Sequence, residues 1–307
     1  MRTVFVTGVA GFLGRHAAAR FSRDGWRVVG IDTVAPENAP QEWCGRYVRL
    51  GLPEAGFDAV LREEKPQALV HCAGRASVPM SMQDPGGDFS ANAVLTFEIL
   101  EALRREAPGC RMIYLSSAAV YGNPVRLPVS EEDAVVPLSP YGFHKRMGEL
   151  LCEEYSLIYG IPSTVVRIFS AYGPGLRRQV VWDIFRRLLA GERLRLHGKG
   201  GESRDFIHAA DVVRALALFA GSGTEGCTVY NLGSGQETAI GDLARIAARV
   251  MGREGAVEFD GVATPGQPVN WRAEMSRARA LGFEARISIE DGVRTLSAWV
   301  QAEQGVA

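Results

Sequence analysis

The chain has 307 residues, a formal net charge of −1, 47% hydrophobic and 22% charged residues, enough to bury a sizeable core in one large or two modest domains. With no basic excess and no run of like charge, it points away from nucleic acid and membrane surfaces and toward a small-molecule partner. Its five cysteines are odd in number, widely spaced and lack a CxxC pair, which argues against a disulfide framework and a zinc site and fits a reducing cytoplasm.

The first segment, Arg2 followed by TVFVTGVAGFLG and Ala17-Ala18-Ala19, superficially imitates a signal peptide. Three regularly spaced glycines interrupt it, however, and no apolar stretch reaches the roughly 18 residues of a membrane span. In chain order the pattern predicts a strand at TVFVTG, a helix over 12–24, a strand at WRVVGID and a helix over 58–64. Next come a strand at ALVHCAG, a helix over 89–106, a strand at RMIYLSS, a helix over 141–159 and a strand at STVVRIF. Continuously apolar strands alternating with helices predict an α/β fold, a doubly wound parallel sheet covered on both faces. After Ala171 the pattern loosens; a helix over 210–220 and a strand at CTVYNLG extend the sheet, and the remainder predicts a smaller C-terminal domain.

Gly8, Gly11 and Gly14 follow the first strand and open the first helix in the spacing GxxGxxG. Such a loop lets backbone N–H groups approach a pyrophosphate at the positive end of a helix. Asp32, ending the next strand, is placed to accept hydrogen bonds from an adenosine ribose and to repel a 2′-phosphate, favouring NAD over NADP.

In SPYGFHK, Tyr141 and Lys145 are one helical turn apart and project from one face. An ammonium beside a phenol favours the phenolate and makes it a usable general base. Ser116 and Ser117 end an apolar strand, at the carboxyl edge where open α/β sheets bind ligands, and a serine hydroxyl there can hold the oxygen whose proton the tyrosine takes.

TGVAGFLG, VHCAGRASVPMSMQDP, LSSAAVYG, SPYGFHK, RIFSAYGPG, ESRDFIHAADV and YNLGSG, in this order, resemble the extended short-chain dehydrogenase/reductases that act on nucleotide sugars, from Thr3 to about Gly282. The resemblance implies a Rossmann NAD-binding domain over 1–172 plus 205–234 and a nucleotide-sugar-binding domain over 173–204 plus 235–307. It implies NAD on Gly8, Gly11, Phe12, Leu13, Gly14, Asp32, Ala73, Asn92, Tyr141 and Lys145. It also implies Ser117, Tyr141 and Lys145 as catalytic residues, Ser117, Ser170, Arg204 and Trp271 toward a nucleotide-diphosphate sugar such as a UDP-sugar, no metal, and a homodimer through the helices near 89–106 and 141–159.

Members of this family share removal of a hydride from sugar C4 and differ in the later steps. Dehydratases and decarboxylases keep an acid just after the serine or threonine; here those positions are Ala118 and Ala119, which cannot transfer protons. The reaction that remains is 4-epimerisation. Competing possibilities are an NAD(P)H-dependent 4-keto-sugar reductase, against which Asp32 counts, and a non-catalytic dinucleotide sensor, against which the retained serine, tyrosine and lysine count. Several positions depart from the family pattern: His144 and Ser170 stand where serine and asparagine are usual, Thr264 and Gly266-Gln267 where an arginine and Gly-Asp are usual, and Gly51 where an adenine-contacting acid is frequent. Arg272 or Arg177 is the expected substitute for the missing arginine. Trp271 falls at the position that gates N-acetyl groups. Arg75 is either a solvated loop arginine or a partner for an acidic sugar, Arg177-Arg178 and Arg186-Arg187 either a diphosphate approach or a solvated face, and His71 a satisfied strand histidine rather than a metal ligand.

Overall fold

In the computed structural model, which describes residues 1–52, 55–196, 198–223, 225–255, 257–262 and 269–303, the buried run Thr3–Thr7 becomes β1. It is followed by α1 (Phe12–Arg23), β2 (Arg27–Asp32), β3 (Arg46–Arg49), α2 (Ala55–Glu64) and β4 (Ala68–His71). Short helices α3 (Val78–Gln83) and α4 (Pro85–Phe89) lead through a π-helical turn (Ser90–Val94) into α5 (Leu95–Glu106). Then come β5 (Arg111–Ser117), a 3₁₀ turn (Ala118–Tyr121), α6 (Pro140–Tyr159) and β6 (Ser163–Ile168). The rest comprises β7 (Ser170–Tyr172), α7 (Gln179–Leu189), β8 (Leu194–Leu196), β9 (Ser203–Arg204), β10 (Phe206–His208), α8 (Ala209–Gly221), β11 (Cys227–Leu232), β12 (Thr238–Ala239), α9 (Ile240–Val250), β13 (Val257–Phe259), α10 (Ser276–Ala280) and α11 (Ile289–Glu303).

The main sheet has the order β11-β6-β5-β4-β1-β2-β3, and its pairs from β3 to β6 are parallel, as the continuous apolar strands predict. From β1 the chain winds outward to β2 and β3, then returns to β4 on the other side, so the switch in winding lies between β1 and β4. Ligands of open α/β sheets bind outside the carboxyl ends at such a point.

The chain divides into two compact units. The first comprises residues 1–122, 135–168 and 213–231; the second comprises 123–134, 169–212 and 232–307. Relative to the expected division, 123–134, 169–172, 205–212 and 232–234 fall with the second unit. The reason is local pairing: β7 pairs with β10 rather than with the main sheet, and Val129 bridges to Ala273.

The core of the first unit joins Phe5, Leu69, Tyr114 and Val165 of the strands to Leu100, Leu103, Cys152 and Tyr155 of α5 and α6. Each large apolar side chain fully buried there contributes about 1.5–3 kcal/mol. Helix α6 starts where SPYG dictates: Ser139 Oγ accepts the Gly142 N–H, Pro140 fills the first turn, and Gly160 closes the far end at φ 71°. It lies close against β5. A Cβ at Gly142 would come 2.7 Å from the Ala119 carbonyl, and one at Gly148 would fall inside the Tyr114 hydroxyl.

That approach predicts that Gly148→Ala lowers the denaturant midpoint by the equivalent of about 1–3 kcal/mol, an overpacking cost. Gly86→Ala in α4, where a Cβ meets nothing within 4 Å, should leave it unchanged or raise it. Equal midpoints for the two variants would refute the close-approach account.

Candidate functional site

Most of the expected cofactor residues lie at the carboxyl ends of β1, β2 and β4. Gly8 leaves β1 at φ 65°, and its N–H donates to the Ile31 carbonyl of β2 at 2.8 Å. A Cβ at Gly14 would collide with the Gly8 carbonyl, so α1 begins directly against the loop. Gly11 caps α1 without a side-chain hydrogen bond, which leaves the first turn, with Phe12 and Leu13, open to an anion at the positive end of the helix. Asp32 accepts the Ala10 N–H at 2.9 Å and the Thr33 N–H at 2.8 Å, so it anchors the glycine loop to the end of β2. Beyond β4, Ala73 donates its N–H to Thr7 Oγ1 at 3.4 Å. Asn92 sits in the π-helical turn, 1% exposed, with neither its Oδ1 nor its Nδ2 bonded to protein. A buried amide in that state costs free energy until a ligand or water meets it, and π-helical turns recur at functional sites. The uncapped helix and the unmatched amide both fit a dinucleotide.

The second cluster is built by α6 on β5. Ser117, half-buried, ends β5 and caps the following turn, its Oγ accepting the Ala119 N–H at 3.2 Å. Tyr141 in the first turn of α6 and Lys145 one turn later are 8% and 6% exposed. Lys145 Nζ donates to the Leu115 carbonyl at 2.9 Å and stands 5.0 Å from the centre of the Tyr114 ring. Burial pulls the Lys145 ammonium down to about 8, while Asp88, Cys72, Cys152 and Glu149 act to hold it up. A lysine in that range beside a tyrosine can hold a ligand oxygen with its remaining donors and stabilise a phenolate.

Behind this face lies a buried polar network that sequence reasoning missed. Ser116 Oγ donates to Glu149 Oε1 at 2.6 Å; Arg167 grips both oxygens of Glu149 at 2.9 and 2.8 Å and donates to the Tyr121 hydroxyl at 2.9 Å, which donates to Asn231 at 2.7 Å. A signal was present: Glu149 follows Lys145 by four residues, so Tyr141, Lys145 and Glu149 share one helix face. His144 engages Asp88 of α4, Nδ1 to Oδ2 2.6 Å, with its ring against Phe89.

In the second unit, Asp205 is fully buried and accepts the Ser234 N–H and hydroxyl on one oxygen and the Gly235 and Ala273 N–H groups on the other, at 2.6–3.0 Å. It thereby ties the residue after Arg204 to the chain two residues after Trp271. The Arg204 guanidinium lies 5.4 Å from the Trp271 ring centre and donates to the carbonyls of Ser203 and Val269; Phe169 meets Trp271 edge-on. Burial lowers the Arg204 pKa. Ser170 sits on β7, its N–H donating to the Asp205 carbonyl at 2.9 Å.

Other expected residues fall elsewhere. Arg75 is ion-paired with Asp84 at 2.5 Å, and Arg177 engages Glu303 and the Trp299 ring of α11. Arg187 donates to the Arg195 carbonyl at 2.7 Å. Thr264, Gly266 and Gln267 lie outside the described residues. His71 bonds Thr7 through Nδ1 at 2.8 Å, and among the described residues no group of His, Cys, Asp and Glu could hold a metal ion. No described helix is long and apolar enough to cross a membrane.

A doubly wound parallel sheet with a glycine loop after β1, and a serine, tyrosine and lysine gathered on β5 and α6, defines an extended short-chain dehydrogenase/reductase. Comparison with known proteins agrees: residues 4–233 match the NAD dependent epimerase/dehydratase family, and the chain belongs to it. The chain is 32% identical to the UDP-glucose 4-epimerase of Mycolicibacterium smegmatis, over 95% of this chain and 96% of that one. Among solved structures it is similar to the Bacillus cereus UDP-glucuronic acid 4-epimerase in complex with UDP-glucuronic acid and NAD, with 25% identity, TM-score 0.90, and 98% and 99% of the two chains covered. It is also similar to the Thermotoga maritima UDP-glucose 4-epimerase with UDP-glucose, with 26% identity, TM-score 0.90, and 98% and 99% covered. NAD is the cofactor of this family.

His71 supplies a pH prediction. Burial, followed by the charge of Lys145, drives its pKa from 6.5 down to about 3. Between those values the unfolded chain binds the proton and the folded chain does not, so this contribution is complete above pH 6.5 and is lost as the pH falls toward 3. The slope is about 1.4 kcal/mol per pH unit. Urea midpoints at pH 7 and pH 5 should differ less in His71→Gln than in the parent protein; an identical difference in both would remove His71 as the cause.

Proposed function

We propose that this protein is an NAD-dependent nucleotide-sugar 4-epimerase, with a UDP-hexose as substrate, working in the cytoplasm. The observation that carries the proposal is the pair Ala118 and Ala119, two methyl groups turned into the protein directly after Ser117, 0% and 8% exposed, where a dehydratase or decarboxylase of this family needs an acid. With no group there to move a second proton, the chemistry that Ser117, Tyr141 and Lys145 can perform alone is removal and return of one proton at the sugar 4-oxygen.

In this scheme Ser117 donates a hydrogen bond to the 4-oxygen and Tyr141, as phenolate, takes its proton and later gives it back. Bound NAD would supply the complementary hydride chemistry at C4, removal from one face and return to the other. Proton and hydride both come back, so there is no net redox change. Gly8, Gly11, Phe12, Leu13, Gly14, Asp32, Ala73 and Asn92 would hold the cofactor, and Lys145 its nicotinamide ribose. In the second unit, Arg204 would meet the diphosphate and Ser170 and Trp271 the nucleotide sugar; the indole would crowd an N-acetyl group. The 32% identity to a UDP-glucose 4-epimerase supports a neutral hexose, and Arg75, the residue that could partner an acidic sugar, is paired with Asp84.

The first unit presents Phe143, Met147, Leu150, Leu157 and Ile158 to solvent along α6, with Val94 and Phe97 at the start of α5. An apolar stripe of this length on two adjacent helices suits a second copy of the chain, packed about a two-fold axis.

Two tests apply. Incubated with UDP-glucose and no added cofactor, the purified protein should form UDP-galactose; Tyr141→Phe should retain NAD while losing about 10²–10⁴-fold in rate, and UDP-N-acetylglucosamine should turn over far more slowly than UDP-glucose. Conversion of sugars only when NAD(P)H is supplied would establish a reductase instead, and equal rates on both sugars would remove the role given to Trp271. By light scattering the mass should be twice 33.3 kDa, falling to one protomer in Leu150→Glu; a monomeric parent protein would refute the dimer.

A further inference from the structure

We propose that Glu149 and Arg167 are a positioning pair: their buried ion pair locks Ser116, and through it the two neighbours of Ser116 on β5, against the face of α6 that carries Tyr141 and Lys145. The proposal rests on Tyr141 and Lys145 being the catalytic base and its partner. Leu115, just before Ser116, offers the carbonyl that holds Lys145, and Ser117, just after it, offers the hydroxyl of the site. Between them, Ser116 points to the opposite face of the strand, as the alternation of β side chains requires, and its hydroxyl ends on Glu149.

Glu149 is 2% exposed and Arg167 3%, and each carboxylate oxygen accepts two hydrogen bonds, from Ser116 and Arg167 on one side and from Arg146 and Arg167 on the other. A charge pair that deep adds little net stability, since desolvation offsets its attraction, and an apolar pair of the same volume would serve packing as well. Its contribution is geometry. A bidentate guanidinium and carboxylate tolerate one relative placement, and this one ties α6 to β5 and β6 at once. The groups facing Lys145 are Asp88 of α4, Cys72 and His71 at the end of β4, the Tyr114 ring of β5, and Glu149 and Cys152 of its own helix. Glu149 helps to keep Lys145 charged, and Arg167 and Arg146 offset part of that charge.

The test uses full-length protein with its copurified NAD in two charge-balanced variants: Ser116→Ala, which removes only the hydroxyl link, and Glu149→Leu with Arg167→Met, which replaces the pair by apolar volume. Readouts are the melting temperature, the NAD content, kcat and KM, and ionisation of Tyr141 followed by ultraviolet difference absorbance against Tyr141→Phe. Both variants should fold and retain NAD and KM, with kcat falling about tenfold in Ser116→Ala and about a hundredfold in the double variant. Tyr141 should bind its proton about tenfold more tightly in each, because a displaced Lys145 stabilises the phenolate less. Unchanged kcat and unchanged Tyr141 ionisation in folded, NAD-loaded Ser116→Ala would overturn the proposal. Should the parent protein turn over no UDP-sugar, the epimerase assignment fails, and the ionisation shift alone still decides whether the pair positions Lys145.

Discussion

Helix α6 lies against β5 at a distance that two glycines make possible, and the chemistry proposed for the first unit depends on that contact. Gly142 leaves room for the Ala119 carbonyl and Gly148 for the Tyr114 hydroxyl. At this separation Lys145 reaches the Leu115 carbonyl and Glu149 reaches Ser116, while Gly142, next to Tyr141, meets the turn that begins at Ser117. A larger residue at either glycine would push the helix away or displace a fully buried tyrosine, and interiors packed like crystals accommodate neither cheaply.

Close contact has an electrostatic consequence. Lys145 is taken out of water, which favours its neutral form, yet the role given to it requires an ammonium. The fold answers with anions and dipoles from several directions: Asp88 from α4, Glu149 from the next turn, a backbone carbonyl from β5 and the ring face of Tyr114. The resulting value, about 8, keeps the lysine largely charged near neutrality while leaving it sensitive to small displacements. His71, buried nearby and driven neutral, adds no competing positive charge.

Much of this is legible in the sequence because it is local. The alternation of apolar strands and helices specifies the sheet, SPYG sets the start of α6 to within one residue, and the three glycines after β1 mark the loop that packs on α1. The features that escape are tertiary. The network joining Ser116, Glu149, Arg167, Tyr121 and Asn231 draws on residues up to 115 positions apart (231 − 116), and no periodicity connects them. The π-helical turn at Asn92 reads in the sequence as ordinary helix, since one extra residue in a turn leaves little trace in an apolar pattern. His144, which stands where serine is usual, faces Asp88, a partner 56 positions away that its helix position alone does not reveal.

The second unit follows a different logic, and Asp205 shows it. Arg204 and Trp271 are 67 positions apart (271 − 204), in segments with little regular structure, so neither a helix nor a sheet fixes their relation. One buried carboxylate does: it draws Ser234, Gly235 and Ala273 to a single point, adjacent in sequence to Arg204 and two residues beyond Trp271. Burial raises the pKa of Asp205, and the donors converging on its oxygens work to keep it ionised. The guanidinium is then held beside the indole by its own bonds to the Ser203 and Val269 carbonyls. The selectivity proposed for Trp271 could then change through the residue at 271 alone, while the carboxylate and its backbone donors stay the same. The proton-transfer face proposed for α6 and β5 has no such freedom, because the close glycine contacts and the buried charges fix the helix on the strand.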